Sequence, residues 1–395
     1  MGGRRANGQG TVYKEKNHYV GQYWYEGKRK IVRIRNVKNK AEAYKVLNQI
    51  TADIYKGTYI DRSNETIKGI LEDLLEARSK TNLAESTLLS NQYTAKIICN
   101  MRIADMPIQK ILDKQINECL YKLSSKYSNS YIEKIFMQLS NVFDIAVERE
   151  LIRRNLLKTK LVIKPKSEKE SKKVEALTLE NHKKFMKELA KGYDKYTDVL
   201  YILIETGMRV WEVLALDRQS IDLANKTIKI DKTLTKDKNG KVKLVHKTKT
   251  SAGMRTIPIS DLLVKVLSKY NLKLGYLFLK SDGSFINQST INSHVKKVCK
   301  NAGIAPTVYT FTRNVPNKNK KKTINLNTSN IHTHMLRHSY ATRCIEAGIK
   351  PVVLQKLLGH SDVRITLNTY TSVFDQFQES EYDKVSNYLA KMNIH

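Results

Sequence analysis

The sequence predicts a multidomain α+β protein: a three-stranded sheet with one helix, an all-helical domain, and a mainly helical C-terminal domain carrying a small antiparallel sheet. Three observations predict this class. Between residues 10 and 35, β-branched and aromatic residues alternate with polar ones at the two-residue period of strands. From Asn64 to about Leu157 the apolar residues recur at helical spacing, with no good strand among them. The polar, lysine-rich stretch LKTKLVIKPKSEKESKKVEA then has no period at all and reads as a linker, before a region that mixes helices with a few strands. The length agrees, since 395 residues with 41% hydrophobic content exceed one ordinary core and can fill more than one.

In the first region, GTVYKEKNHYVGQYWYEGKRKIVRIR breaks at Lys16-Asn17 and Glu26-Gly27, which predicts a meander of three short strands, followed by a helix from about Lys40 to Lys56. Residues 1 to 60 hold 13 Lys/Arg against 4 Asp/Glu, interleaved with Tyr13, Tyr19, Tyr23, Trp24 and Tyr25. Those aromatics either form the core of a solubilising sheet or face DNA. Charge concentrated on strands and hairpins that fit a groove favours DNA. In the helical region, Ile132, Ile135, Phe136, Leu139, Val142, Phe143, Ala146 and Val147 make one core-facing stripe. The linker either lies along a DNA backbone or is a solvated tether.

In the C-terminal region, Thr178 followed by Glu180 and Asn181 reads as a helix entry, and Asp194 to Glu205 as an apolar helix stopped at Thr206-Gly207. Thr227 to Ile230 and Lys243 to His246 flank the turn Asp237-Lys238-Asn239-Gly240, and Arg255 to Ile259 adds a third strand-like run. Helices follow near Leu262 to Tyr270, Asn287 to Ala302, Thr333 to Ala347 and Lys350 to Leu358. In the tail, Val385, Tyr388, Leu389 and Met392 form an apolar stripe on a short helix, which must be buried on its own domain or on a neighbour.

Charge bounds the function. The 70 Lys+Arg against 38 Asp+Glu give a net charge of +32, a field that draws polyphosphate and makes nucleic acid the default partner. No apolar run approaches the ~18 residues of a membrane span, and the N-terminus MGGRRANGQG lacks an apolar signal core, so a cytoplasmic, DNA-associated protein is expected. Cys99, Cys119, Cys299 and Cys344 show no CxxC spacing, which fits a reducing compartment and argues against a zinc ribbon.

One set of residues carries chemistry. Arg209 follows the Thr206-Gly207 break, where a guanidinium can project toward an anion, and Glu212 one turn on is available to hold it. His334 and Arg337 share a helix face. His360 follows the helix-ending Gly359, and Tyr370 comes ten residues later. Arginines repel a cation, so this is no metal site; guanidiniums beside imidazoles suit a phosphate.

Taken in order and spacing, TGMRVWEV, KTSAGMRTIPI, HMLRHSYAT and LLGHSDVRITLNTY resemble the tyrosine recombinase (phage integrase) family over roughly residues 174 to 375. The upstream layout, by pattern alone, resembles integrases of conjugative transposons and temperate phages. The resemblance implies an arm-type DNA-binding domain over residues 1–62, a core-binding domain over 63–162, a basic linker over 163–173 and a catalytic domain with its tail helix over 174–395. It implies that Tyr370 attacks a DNA phosphodiester to leave a 3′-phosphotyrosine, that Arg209 and Arg337 grip the non-bridging oxygens, that His334 accepts the tyrosine proton and that His360 donates to the phosphate. A lysine protonates the leaving 5′-oxygen. The family's Lys-Thr, two residues, Gly, one residue, Arg pattern favours Lys249, with Lys247 as alternate.

The implied activity is metal- and ATP-independent, uses no cofactor, and integrates and excises a mobile element. The implied partners are core-type and arm-type sites on double-stranded DNA, further copies of the chain in a tetramer on paired sites, and an accessory excision or DNA-bending protein. Trp211 departs from the small polar residue usual in the family. His338 reads as a helix-surface or core histidine, and Tyr340 and Tyr309 as packing residues. Two other classes share part of this pattern: a type IB topoisomerase-like relaxing enzyme, and a non-catalytic DNA-binding regulator. The basic N-terminal unit disfavours the first and the complete Arg, Lys, His, Arg, His, Tyr set the second.

Overall fold

Alternation in the first region builds an antiparallel meander of β1 (Thr11–Glu15), β2 (His18–Tyr25) and β3 (Lys28–Ile34), capped by helix α1 (Lys40–Tyr55). The computed structural model describes residues 10–57, 59–169, 175–192, 194–237, 239–246, 253–270, 275–317, 320–376 and 378–392, and the chain divides into two units, Met1–Glu170 and Ser171–His395. Val12, Tyr23, Val32 and Ile34 pack with Ala43 and Leu47 of α1 as a small core. Antiparallel pairing sets Trp24 opposite Arg29, Gln22 opposite Ile31 and Val20 opposite Arg33, so these pairs share the other face. Tyr13, Trp24 and Ile31 on that face are exposed. The aromatics thus divide between the two sequence readings: Tyr23 is core and Trp24 is not.

The helical region is α2 (Ile67–Ser79), α3 (Glu85–Cys99), α4 (Asp113–Ser124) and α5 (Asn129–Glu148) around one core. Ile132, Ile135, Leu139, Val142, Phe143 and Ala146 of the α5 stripe are all buried. The start of the expected linker is anchored to this bundle. The Ile163 N–H donates to Asn117 Oδ1 (2.9 Å), the Ser167 N–H to Asn129 Oδ1 (2.7 Å) and the Glu168 N–H to Ser124 O (3.0 Å). Hydrogen bonds from extended backbone to residues of neighbouring helices leave no period in the sequence; residues 170–174 of that stretch lie outside the described residues.

The second unit begins with α6 (Leu179–Leu189), α7 (Lys195–Thr206) and α8 (Val210–Val213). Thr178 and Asp194 cap α6 and α7, each side chain accepting from the backbone N–H three residues on. The strands correct the sequence expectation. The partner of β7 (Val242–His246) across the turn is β6 (Lys232–Lys236), whereas β5 (Thr227–Ile230) pairs with β4 (Ile221–Asp222) and β8 (Arg255–Pro258) in a separate sheet. Two adjacent short strands, split at Asp231, look like one run in sequence, so the hairpin is easily given the wrong first strand.

Helices α9 (Asp261–Leu267) and α10 (Gln288–Asn301) follow, then a long hairpin of β9 (Val308–Asn317) and β10 (Lys320–Ser329). That hairpin is absent from the sequence expectation, although Tyr309, Phe311 and Val315 and then Ile324 and Leu326 alternate with polar residues. The chain ends in α11 (Thr333–Glu346), α12 (Pro351–Leu358), α13 (Val363–Gln376) and α14 (Gln378–Lys391). On α14 the stripe of Val385, Tyr388 and Leu389, continued by Met392, is exposed. Among the described residues, no helix is long and apolar enough to cross a membrane.

Candidate active site

Helix ends assemble the site. Helix α7 stops because Gly207 turns left-handed (φ 61°), and a Cβ there would lie 2.3 Å from the Tyr340 ring, so both conformation and space require glycine. The stop releases the Gly207 carbonyl and brings Arg209 to the N-cap of α8. Helix α12 ends the same way, with Gly359 at φ 65°. Its last carbonyls collect three guanidiniums in succession: Arg255 Nε donates to Leu357 O (2.7 Å), Arg337 Nη2 to Leu358 O (2.7 Å) and Arg209 Nη2 to Gly359 O (3.3 Å). The negative end of a helix dipole suits such a gathering of cations.

Arg337 comes from α11, which packs on α7, and it also donates through Nη1 to Gly207 O at 2.7 Å. It is 3% exposed. Two backbone carbonyls therefore fix the fork of this buried guanidinium. The Arg209 side chain is 43% exposed and is tied to the buried Glu212 through Nη1 (3.1 Å). His360, just past α12, pairs its Nδ1 with Thr366 Oγ1 at 2.8 Å. Tyr370 sits at a kink inside α13, with non-helical φ −119° and ψ 16°, and is buried in a small core with Ala341, Ile345, Leu354 and Leu358. The structure thus brings Arg209, His334, Arg337, His360 and Tyr370 to one end of the bundle. Lys249 and Lys247 lie outside the described residues.

Electrostatics follow from burial among cations. His334, an exposed residue of α11, is pushed down to about 4 chiefly by the desolvation of its crowded surroundings, with His338 and Arg337 adding to it, and His360 to about 4 by burial and then Arg337. Both imidazoles are neutral at pH 7. Burial pushes Tyr370 up to about 12, against the pull of Arg337, so its phenol is protonated and needs a base to react. Burial and Arg209 lower Arg337 to about 9, which leaves the guanidinium charged at neutral pH.

Two features of the site are absent from the sequence reading. Arg255 bonds Glu212 through Nη1 (3.3 Å) and Nη2 (2.9 Å), giving the carboxylate a second arginine besides Arg209. The signal was present, since Arg255 ends the KTSAGM run, but a strand residue's partner in a distant helix has no sequence spacing. The other is His338, whose ring lies 5.5 Å from the Tyr370 ring and 4.9 Å from the His334 ring. It is neither a surface nor a core residue but half-buried, and it packs against the tyrosine. Tyr340 packs against Gly207, and Trp211 is half-buried against the main core of this unit.

Chemically, the arrangement offers two fixed guanidiniums, neutral imidazoles and a protonated phenol, which suits binding a tetrahedral anion and attacking it with oxygen. Among the described residues, no group of three or more His, Cys, Asp or Glu could hold a metal ion.

Residues 175–376 match the model of the phage integrase family. Over 363 residues the chain is 24% identical to a tyrosine recombinase XerC-like protein of Caldanaerobacter subterraneus subsp. tengcongensis, covering 85% of this chain and 86% of that one. It is 25% identical over 312 residues to the ICEBs1 integrase of Bacillus subtilis, covering 74% and 77% respectively. Among solved structures, the Tn1549 transposon integrase in complex with transposon right end DNA has a TM-score of 0.65 at 21% identity, covering 82% of this chain and all of that one. A lambda integrase dimer bound to a core site has a TM-score of 0.53 at 16% identity, covering 93% and 96%. The likeness to these solved structures is one of fold.

Proposed function

Because the chain belongs to the phage integrase family, we propose that it is a site-specific DNA recombinase in which Tyr370 cuts a strand and the protein then rejoins it, integrating and excising a mobile element. The observation that carries this reading is the convergence of Arg209, Arg337, His360 and a buried tyrosine on the C-terminal end of α12. Tyr370 Oη attacks the scissile phosphorus and the P–O5′ bond breaks. The phenol proton passes to neutral His334, and the leaving 5′-oxygen takes a proton from Lys249. One diester replaces another, so religation needs no ATP. Arg209 and Arg337 offset the extra negative charge of the pentacoordinate state, which costs least when the donors are already fixed.

Incubated with a nicked core-site duplex in EDTA, the protein is expected to form a covalent protein–DNA adduct, visible as a band that survives denaturation. A requirement for added divalent metal in that cleavage step would overturn the mechanism, because guanidiniums are assigned the work a metal would do.

The N-terminal sheet is proposed as the reader of a separate, arm-type DNA site. Supporting this are the exposed Tyr13, Trp24 and Ile31 on the face that also carries Arg29 and Arg33. A homo-oligomer, a tetramer on paired sites, is proposed as the working assembly, in line with the lambda integrase tetramer solved on a Holliday junction. The exposed α14 stripe supports an intermolecular contact, since an isolated amphipathic helix needs a partner for its apolar face. Changing Leu389 and Met392 together to Asp is expected to leave single-site binding intact and to lower pairing of two sites, read by gel shift and light scattering. Normal pairing by that double variant would mean the tail packs on its own subunit.

A further inference from the structure

We infer that His338 is a positioning residue whose ring, set against the ring of Tyr370, aims the nucleophile at the phosphate gripped by Arg209 and Arg337. This deepens the recombinase reading and rests on it. The need for such a residue follows from the kink. At Tyr370 the backbone leaves helical geometry (φ −119°, ψ 16°), so α13 does not by itself fix the direction of the side chain. That direction is set by the elements packed around the ring, and α11 and α12 both pack on α13.

Helix α11 turns one face to the tyrosine. His334, His338, Ala341 and Ile345 fall at i, i+4, i+7 and i+11, a single stripe along the helix. Ala341 and Ile345 are buried in the same small core as Tyr370, to which α12 adds Leu354 and Leu358. These aliphatic neighbours give contact without direction, because an alkyl group accepts a ring at almost any tilt. His338 gives direction. Its ring centroid lies 5.5 Å from that of Tyr370 with the planes at 57°, the tilted kind of contact that aromatic pairs prefer over a face-to-face sandwich. The same imidazole meets the His334 ring edge-to-face, at 4.9 Å and 88°. A ring held by two such contacts cannot turn far without losing one of them, so His338 is a fixed stop for the tyrosine ring.

Charge permits this packing. Burial, then Arg337 and His332, holds His338 below the ordinary histidine range, so at pH 7 it lies against the phenol as an uncharged ring. The preceding residue is Arg337, whose guanidinium is fixed by the Gly207 and Leu358 carbonyls. One rigid helix thus carries the phosphate grip and the stop for the nucleophile in consecutive residues, and the two move together. His338 acts on the reaction through the direction of Tyr370, and the phenol proton still passes to His334.

The test compares a ringless with a ringed substitution in the full chain, by single-turnover adduct formation on nicked core DNA at saturating protein. His338→Leu fills the space with an alkyl group and is expected to slow adduct formation by about a hundredfold, the scale of a misaimed reacting group, while core-site affinity stays within about threefold of wild type. His338→Phe returns a ring without nitrogens and is expected to come within about fivefold of the wild-type rate. A His338 that merely fills the core predicts equal rates for the two, since both replacements are apolar and fill the site. A His338 that works through its nitrogens predicts that both are equally slow. A His338→Leu rate equal to or above that of His338→Phe therefore overturns the inference. If His338→Leu shows no cooperative melting, His338→Gln, also ringless, is read in its place. An absence of adduct in the wild type overturns the recombinase reading itself, which keeps the two failures apart.

Discussion

Tyr370→Phe is expected to abolish the covalent protein–DNA adduct, with a fall of at least about 10⁴-fold in adduct yield per unit time. Phenylalanine keeps the ring that packs with Ala341, Ile345, Leu354 and Leu358, so the fold and DNA affinity should be unchanged. Only the attacking oxygen is lost. The chain has 21 tyrosines, and among the described residues no other combines burial at the α12 end with a break in its own helix. The break matters because a tyrosine inside a regular helix is held by that helix on both sides, whereas a kink lets the ring be aimed separately. An adduct that persists in Tyr370→Phe would show the nucleophile to be misassigned, and peptide mapping of the adduct would identify the tyrosine responsible.

Much of the framework was legible in the sequence because it is written in local signals. The Gly207 and Gly359 stops, the Asp194 cap and the α5 stripe each depend on residues within a few positions of one another. The Arg209, Arg337, His360 and Tyr370 set was legible for a different reason, since the family resemblance supplies what spacing cannot. Contacts between distant segments were not legible. Arg255 meets Glu212 from 43 positions away, and His338 meets Tyr370 across two helices. The β5 and β6 error has the same origin: strand pairing is decided by partners elsewhere in the chain, and two strands split by a single residue present one continuous run. The β9–β10 hairpin carries a partial alternation, Tyr309, Phe311 and Val315 and then Ile324 and Leu326 between polar residues, but nothing local marks its pairing of Val308 with Ser329.

Arg337→Lys is expected to lower the rate of adduct formation by about 10² to 10³-fold at saturating DNA, although it preserves the formal charge. The reason lies in where the guanidinium is held. Nη1 is bonded to Gly207 O and Nη2 to Leu358 O, both at 2.7 Å, in a position only 3% exposed. An ammonium is one centre with three donors and cannot span two carbonyls set by two different helix ends while also facing a phosphate. One buried carbonyl would lose its partner, at a cost of about 1–3 kcal/mol in stability, so the variant should also melt a few degrees lower. Burial disfavours the charged form of lysine far more readily than that of arginine, and the neighbouring Arg209 and Arg255 push the same way. The substituted side chain is therefore expected to lose part of its charge as well as its geometry, and raising the pH from 6 to 8, below the value of about 9 for Arg337 itself, should deepen the defect further. A variant that forms adduct within about threefold of wild type across that pH range would mean that charge alone suffices at this position and that the paired carbonyls do not orient the phosphate donor.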